Sequence, residues 1–255
     1  MDQRLTFNED AANYDRWRPV YCAEVFQDII AYSHIGPGKQ AIEIGIGTGQ
    51  ATRPVLETGC ELAAVELGRN LAEYTQLKFR EYTGFKVHHT SFEDFAAPAG
   101  SSDLIYSGTA FHWIPEQTGY PKVSQLLKTG GTVALFWNRP FAARADDELH
   151  QQLQQIYRKF RPGSPPLIEH DTARYHAVSQ RLDTYGFREI KLKLYHLTRA
   201  FSSADYIGLL NTYSDHRGMP TAARLLLEEE IRAAILKSGD VLMIYDTIDL
   251  HLARK

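Results

Sequence analysis

Apolar and polar positions in the first half of the chain alternate between short strand-like runs and longer helical stretches. From Val20 to His34, Phe26, Ile29 and Ile30 share one helical face, and Gly36-Pro37-Gly38 ends the pattern. Residues 40–44 read as a strand, and Glu61-Leu62-Ala63-Ala64-Val65-Glu66 as a second that ends in a carboxylate. A helix carrying Leu71, Tyr74 and Leu77 comes after it and stops at Gly84. A short strand around Lys86–His88 and another at Asp103–Tyr106 come next. Pro115 suits the first turn of a helix that ends near Gly130-Gly131, before a fifth strand at Thr132–Trp137. Strands alternating with helices predict an α/β fold, a parallel sheet covered on both faces.

After residue 138 the rhythm changes. Leu149, Leu153, Ile156 and Phe160 recur at helical spacing, and Arg161-Pro162-Gly163-Ser164-Pro165-Pro166 breaks the helix. Tyr175, Val178 and Leu182 mark another helix, stopped by Gly186. Ile190, Leu192 and Leu194 then alternate with Lys191 and Lys193, a strand with one solvated face. Ser202-Ser203-Ala204-Asp205 looks like a capping box, opening a helix with Tyr206, Leu209, Leu210 and Tyr213 on its apolar stripe. Pro220 begins a helix that runs through Leu227, Ile231 and Ile235 to Gly239. In the last segment Leu242, Ile244, Ile248, Leu250 and Leu252 share one parity, as in a strand. No flexible linker stands out, so the extra helices read as insertions within one domain, residues 1–255.

The stretch that contains the first strand and the loop after it, Ala41-Ile42-Glu43-Ile44-Gly45-Ile46-Gly47-Thr48-Gly49-Gln50, carries the first chemical signal. A strand, a glycine loop and a helix start together make a nucleotide-type binding corner. Dinucleotide binding needs G-x-G-x-x-G, but the sixth position is Gln50 counted from Gly45 and Thr52 counted from Gly47. The observed form is an acid two residues before G-x-G-x-G. This closely resembles the first motif of the class I S-adenosylmethionine-dependent methyltransferases. Three later features fit the same family: Glu66 at the end of the second strand, Ser91-Phe92-Glu93 after the third, and Asp103-Leu104-Ile105-Tyr106-Ser107 with Gly130-Gly131 beyond it.

The resemblance implies a Rossmann-like seven-stranded sheet, mostly parallel, with an antiparallel last strand. It also implies an N-terminal lid and first helix over 1–34, and helical cap insertions at 139–170 and 200–239. S-adenosylmethionine would be held at the methionine end by Gly45 and Ser107, with Tyr14 or Arg18 closing over its carboxylate. Glu43, Gly47, Thr48 and Gly49 would shape the loop, and the backbone of the loop and helix start would help to hold that carboxylate. Glu66 and Leu67 would meet the ribose, and Ser91, Phe92 and Glu93 the adenine. Two hydrogen bonds from a cis-diol to one carboxylate make Glu66 a sensible ribose reader. Tyr14-Asp15-Arg16-Trp17-Arg18-Pro19, Ala110-Phe111-His112-Trp113 and Thr212-Tyr213-Ser214-Asp215-His216-Arg217 are similar to segments of small-molecule methyltransferases near the trans-aconitate methyltransferase type. They imply a substrate pocket with His112, Trp113, Asn138, Tyr213, His216 and Arg217 in its wall. Arg139 ends the same strand as Asn138.

Composition narrows the substrate. At 255 residues with net charge −3, the chain has no overall basic field to favour nucleic acid. The fourth strand runs into Ser107-Gly108-Thr109, without the Asn/Asp-Pro-Pro-aromatic motif of amino-methylating enzymes. Cys22 and Cys60 show no disulfide framework and no metal spacing, so no metal is expected. No apolar run approaches the roughly 20 residues of a membrane span, and Met1-Asp2-Gln3-Arg4 lacks a signal-peptide core. A cytoplasmic monomer or homodimer acting on a small, anionic molecule is expected, with carboxyl O-methylation as the leading reaction. A carboxylate needs no base at neutral pH; for a hydroxyl or amine acceptor, His112 is the candidate base, since imidazole titrates near neutrality. A catalytically silent S-adenosylmethionine binder and a nicotinamide-dependent oxidoreductase are the alternatives.

Overall fold

The computed structural model describes residues 11–18 and 20–255. The lid expectation for residues 1–10 and Pro19 lies outside them. In chain order the elements are α1 Ala11–Trp17, α2 Ala23–Ser33, β1 Gln40–Ile44, α3 Arg53–Leu56, β2 Glu61–Glu66, α4 Arg69–Lys78, β3 Phe85–His89, β4 Ser102–Gly108 and α5 Glu116–Leu126. The second half continues with β5 Leu127–Phe141, α6 Glu148–Phe160, α7 Thr172–Thr184, β6 Arg188–Phe201, α8 Ser203–Leu210, α9 Ser214–Arg217, α10 Thr221–Lys237 and β7 Leu242–Arg254.

The seven strands form one sheet in the order β3-β2-β1-β4-β5-β7-β6. β7 runs antiparallel to both β5 and β6, while β1 to β5 pair in parallel. β1 lies at the centre and is buried from Ala41 onward, which explains its unbroken apolar run with one acid inside it. One apolar layer packs α2 and the start of α3 against the sheet through Val25, Phe26, Ile29 and Val55. The other packs α5 and α7 against the opposite face through Tyr120, Val123, Val178 and Leu182.

A third apolar cluster stands apart from these layers. Leu149 and Leu153 of α6, Leu209 and Leu210 of α8, and Leu227, Ile231 and Ile235 of α10 bury one another over the start of β7, at Leu242 and Ile244. α1 joins through Trp17, whose ring fills the space above Gly208 so closely that a Cβ there would lie 2.5 Å from it. The Ser202 side chain accepts from the Asp205 backbone N–H, the cap expected for α8.

Three elements differ from expectation. The glycine loop does not open directly into a long helix. Three successive left-handed glycines, Gly45, Gly47 and Gly49, keep the chain in turns, and helix forms only over the four residues of α3. An argument from that helix's N-terminal dipole therefore has little helix behind it. β5 is longer than its apolar core at both ends, because β7 pairs along it as far as Phe141 opposite Tyr245. The Gly130-Gly131 turn is taken up inside β5, beside a shift in its register with β4. β6 likewise extends to Phe201 by pairing with β7.

Candidate active site

The carboxyl ends of β1, β2 and β4, together with α1 and the α8–α9 connection, surround a cavity of about 570 Å³. Such a position, beyond the strand ends of an open α/β sheet, is where that architecture leaves a crevice for ligands. The glycines at its floor serve different purposes. At Gly45 a Cβ would lie 2.5 Å from the Cβ of Ala110, and at Gly49 it would overlap the Phe79 ring. Gly47 has more room, its nearest neighbour being the Tyr14 ring at 3.6 Å, and it lines the cavity.

Two buried carboxylates brace this floor. Glu66 accepts the Gly47 backbone N–H at 2.9 Å on one oxygen and the Gly68 N–H at 2.8 Å on the other. Each oxygen keeps a second lone pair for a ligand hydroxyl. Burial pushes its pKa up, and those two N–H donors oppose the shift. Glu43 accepts from the Thr52 hydroxyl at 2.7 Å and the Tyr106 hydroxyl at 2.8 Å. Burial raises its pKa to about 7, and the nearby Glu66 charge adds to the rise. Glu43 thus ties β1 to β4 and to the end of the loop from the cavity's edge.

A polar clamp fixes α1 above the loop. Asp15 receives Lys78 at 2.6 Å and the Tyr74 hydroxyl at 2.9 Å, and Lys78 also reaches the Thr48 carbonyl at 2.9 Å. Arg18 donates to the Thr212 carbonyl at 2.8 Å, with its guanidinium 4.7 Å from the ring centres of both Tyr14 and Tyr213. One stacked column therefore links α1 to the chain between α8 and α9.

The opposite end of the cavity is built after β4 and β5. Thr109 adopts a left-handed conformation (φ 54°), unusual for a β-branched residue. Its hydroxyl meets the Tyr21 hydroxyl at 2.8 Å and accepts the Asn138 N–H at 3.2 Å. His112 Nδ1 accepts the Trp137 indole N–H at 3.1 Å, which puts the ring proton of the neutral form on Nε2. Burial against the cavity wall, then the Arg174 and Arg139 cations, lower its pKa to about 4. The expectation of a neutral-pH base at His112 therefore does not fit its surroundings: the ring is a weak base whose acceptor nitrogen is engaged. Asn138 donates to Asp246 at 2.9 Å, and Arg139 holds the buried Asp249 through bonds of 2.6 and 2.9 Å.

The cavity wall gathers Tyr14, Arg18, Glu43, Gly45, Gly47, Glu66, Leu67, Ser91, Phe92, Glu93, His112, Trp113, Asn138 and Tyr213 from the sequence-predicted set. Five expected residues stand outside it. Ser107 is buried, donating to the Ile44 carbonyl at 2.9 Å between β4 and β1. Thr48 is buried too, its hydroxyl accepting from the Gln50 amide at 2.6 Å. Gly49 packs on Phe79. His216 packs with its ring edge-on to Tyr157 at 5.7 Å, and Arg217 on the same short α9 is also absent from the wall. Sequence reading missed Tyr21, Thr109, Arg174 and Asp215. Thr109 and Asp215 lay in segments already singled out; Arg174 reads as a solvated helix residue.

Comparison with known proteins agrees with this geometry. Residues 42–135 match the family model described as a methyltransferase domain. The chain is 24% identical over 252 residues to an uncharacterized methyltransferase of Schizosaccharomyces pombe, covering 97% of this chain and 93% of that protein. An uncharacterized methyltransferase of Mycobacterium tuberculosis is 23% identical over 137 residues, 54% of each chain. Among solved structures, one from Anaeromyxobacter dehalogenans, provisionally named a type II methyltransferase, superimposes with a TM-score of 0.64 at 19% identity, covering 93% of this chain and 97% of that one. Phosphoethanolamine N-methyltransferase 2 of Haemonchus contortus, solved with S-adenosylhomocysteine, gives 0.59 at 12% identity, over 100% of this chain and 60% of that one. With the acid-G-x-G-x-G loop, the buried Glu66 and the sheet order already in view, residues 42–135 form a methyltransferase domain and the protein is an S-adenosylmethionine-dependent methyltransferase whose fold resembles class I.

Proposed function

We propose that the enzyme methylates a carboxylate oxygen of a small, anionic molecule. The observation that carries this reading is the state of His112, the one imidazole among the described residues lining the cavity. Its Nδ1 is taken by the Trp137 indole N–H, and its lowered pKa, about 4, makes it a poor proton acceptor at physiological pH although the residue is open to solvent on one side. A carboxylate is already ionised there and needs no base. An alcohol or ammonium acceptor would have to lose a proton, and Glu43, whose pKa is raised to about 7, is held at the cavity's edge with one oxygen accepting from both Thr52 and Tyr106.

S-adenosylmethionine supplies a methyl group already activated on its sulfonium sulfur. The protein's share is then to bind, align and exclude water. The floor fits that cofactor: Glu66 offers free lone pairs to a ribose diol, and Leu67 and Phe92 with Ser91 and Glu93 form a wall of mixed polarity for adenine. Gly47 leaves room beneath Tyr14 for the methionine part, and Arg18 lines the same cavity with a cation for its carboxylate. The helices of residues 139–170 and 200–239 would form the cap that shuts the acceptor in, with α1 as lid. A cytoplasmic location belongs to the same reading. No helix among the described residues is long and apolar enough to cross a membrane.

The test is transfer of labelled methyl groups to a panel of small acids. The products are expected to be esters, losing their label in mild alkali, and the rate should stay level from pH 6 to 8. Alkali-stable products, or a rate that climbs about tenfold per pH unit, would overturn the reading.

A further inference from the structure

We propose that Arg174 anchors an anionic group of the methyl acceptor, one that is distinct from the atom receiving the methyl. The inference rests on the small-anion reading above and deepens it. Around the acceptor end of the cavity the carboxylates already have their cations. Asp249 is held by Arg139, Asp246 by Arg199 at 2.5 and 2.8 Å, and Asp215 by Arg161 at 2.6 Å. Arg174 lines the same cavity, and its guanidinium makes no hydrogen bond or ion pair among the described residues.

Arg174 is exposed at the cavity's rim, where a ligand can reach it. Asp171 caps α7 by accepting the Arg174 backbone N–H at 3.0 Å, so Arg174 is the third residue of the first helical turn. That turn carries no acid, although negative charge is what the end of the dipole favours. Burial and then the Arg139 cation lower Arg174's pKa, and the Asp249 and Asp171 carboxylates oppose the shift from a distance without hydrogen-bonding its guanidinium. An exposed cation that faces the cavity beside Arg139, with no carboxylate hydrogen-bonded to it, is one with which a bound anion would pair. His112, fixed by Trp137 with its proton on Nε2, gives that anion a neutral second donor nearby.

The anchored group is not the acceptor for a chemical reason. A carboxylate gripped by a guanidinium directs its lone pairs at N–H donors and loses nucleophilicity. Arg174 thus suits recognition, with the reacting oxygen presented elsewhere in the cavity.

The experiment compares wild type, Arg174→Gln and Arg174→Lys in methyl transfer to small dicarboxylic acids and to their monoamides, which keep the acceptor carboxylate and lose the second charge, with S-adenosylmethionine affinity measured by calorimetry. Arg174→Gln should raise KM for the acids about tenfold or more, the scale of a lost charge-assisted hydrogen bond. kcat should change far less, the amides should respond weakly, cofactor affinity should hold, and Arg174→Lys should recover part of the loss. An unchanged KM for the acids in Arg174→Gln, with wild type still preferring acids, overturns the role of Arg174 alone. A wild type that prefers amides, or transfers to none of the acids, overturns the anion reading and Arg174 with it.

Discussion

The two ends of the cavity are built in different ways. At the floor, the side chains that matter come from the ends of neighbouring parallel strands, and partners close by hold them in place. Glu66 is fixed by the backbone N–H groups of Gly47 and Gly68, and Glu43 by the hydroxyls of Thr52 and Tyr106. At the acceptor end, His112, Asn138, Arg174 and Tyr213 arrive from four separate stretches of the chain. A floor made of strand ends can stay the same while the acceptor end changes with its loops and helices. On the proposed reading, a cofactor site at the floor and an acceptor site at the other end are separable by mutation.

The sharpest break of the floor is at Gly49. Valine there must adopt a left-handed backbone (φ 83°) and overlap Phe79. Overpacking and strain together predict a loss of about 3 kcal/mol or more in stability, read as a lower midpoint in urea. A midpoint unchanged from wild type would show that the loop is not packed as described. Gly47→Ala offers the contrast: it should fold with a smaller loss, since its Cβ meets nothing closer than 3.6 Å.

Glu43 gives the next effect. Its pKa is raised from about 4.5 unfolded to about 7 folded, so the native state binds the extra proton between those values. The stabilisation is fully present below pH 4.5, is lost as pH rises through 7, and stays lost above it. Glu43→Gln keeps an acceptor for Thr52 and Tyr106 and carries no charge. Relative to wild type it should gain on the order of 3 kcal/mol between pH 4.5 and 8. Parallel stability curves for the two proteins would contradict a buried, proton-binding Glu43.

The floor was also the part most legible in the sequence. Glu66, Gly45, Gly47 and the run Ser91-Phe92-Glu93 are local signals, each read from a few consecutive residues, and all reach the cavity. The central sheet was legible for the same reason, because β1 and β2 are short apolar runs with clear ends. The acceptor end was not. The tautomer of His112 depends on Trp137, 25 residues downstream, and its pKa on burial in the cavity wall and then on two arginines farther still. Arg174 carries no local mark, since an arginine on a helix is ordinarily a solvated residue. His216 and Arg217 looked alike to the sequence, yet α9 turns His216 against Tyr157.

A smaller effect probes the link between the two ends. Asp15→Asn removes the charge that holds Lys78 over the Thr48 carbonyl. Because the pair is about a quarter to a third exposed, solvent screens it, and a loss of about 0.5–1 kcal/mol is expected. It should appear as a few-fold weaker cofactor affinity with KM for the acceptor nearly constant. A rise in acceptor KM alone would place the clamp at the other end.

The central claim is that one cavity has a cofactor floor governed by Glu66 and a separate acceptor end governed by Arg174. Titration calorimetry of S-adenosylmethionine into wild type, Glu66→Ala and Arg174→Gln tests it directly. Glu66→Ala should weaken binding by roughly 1–3 kcal/mol, about 5- to 150-fold, while Arg174→Gln stays within about twofold of wild type. Unchanged affinity in Glu66→Ala, or an equal loss in both variants, would contradict the account.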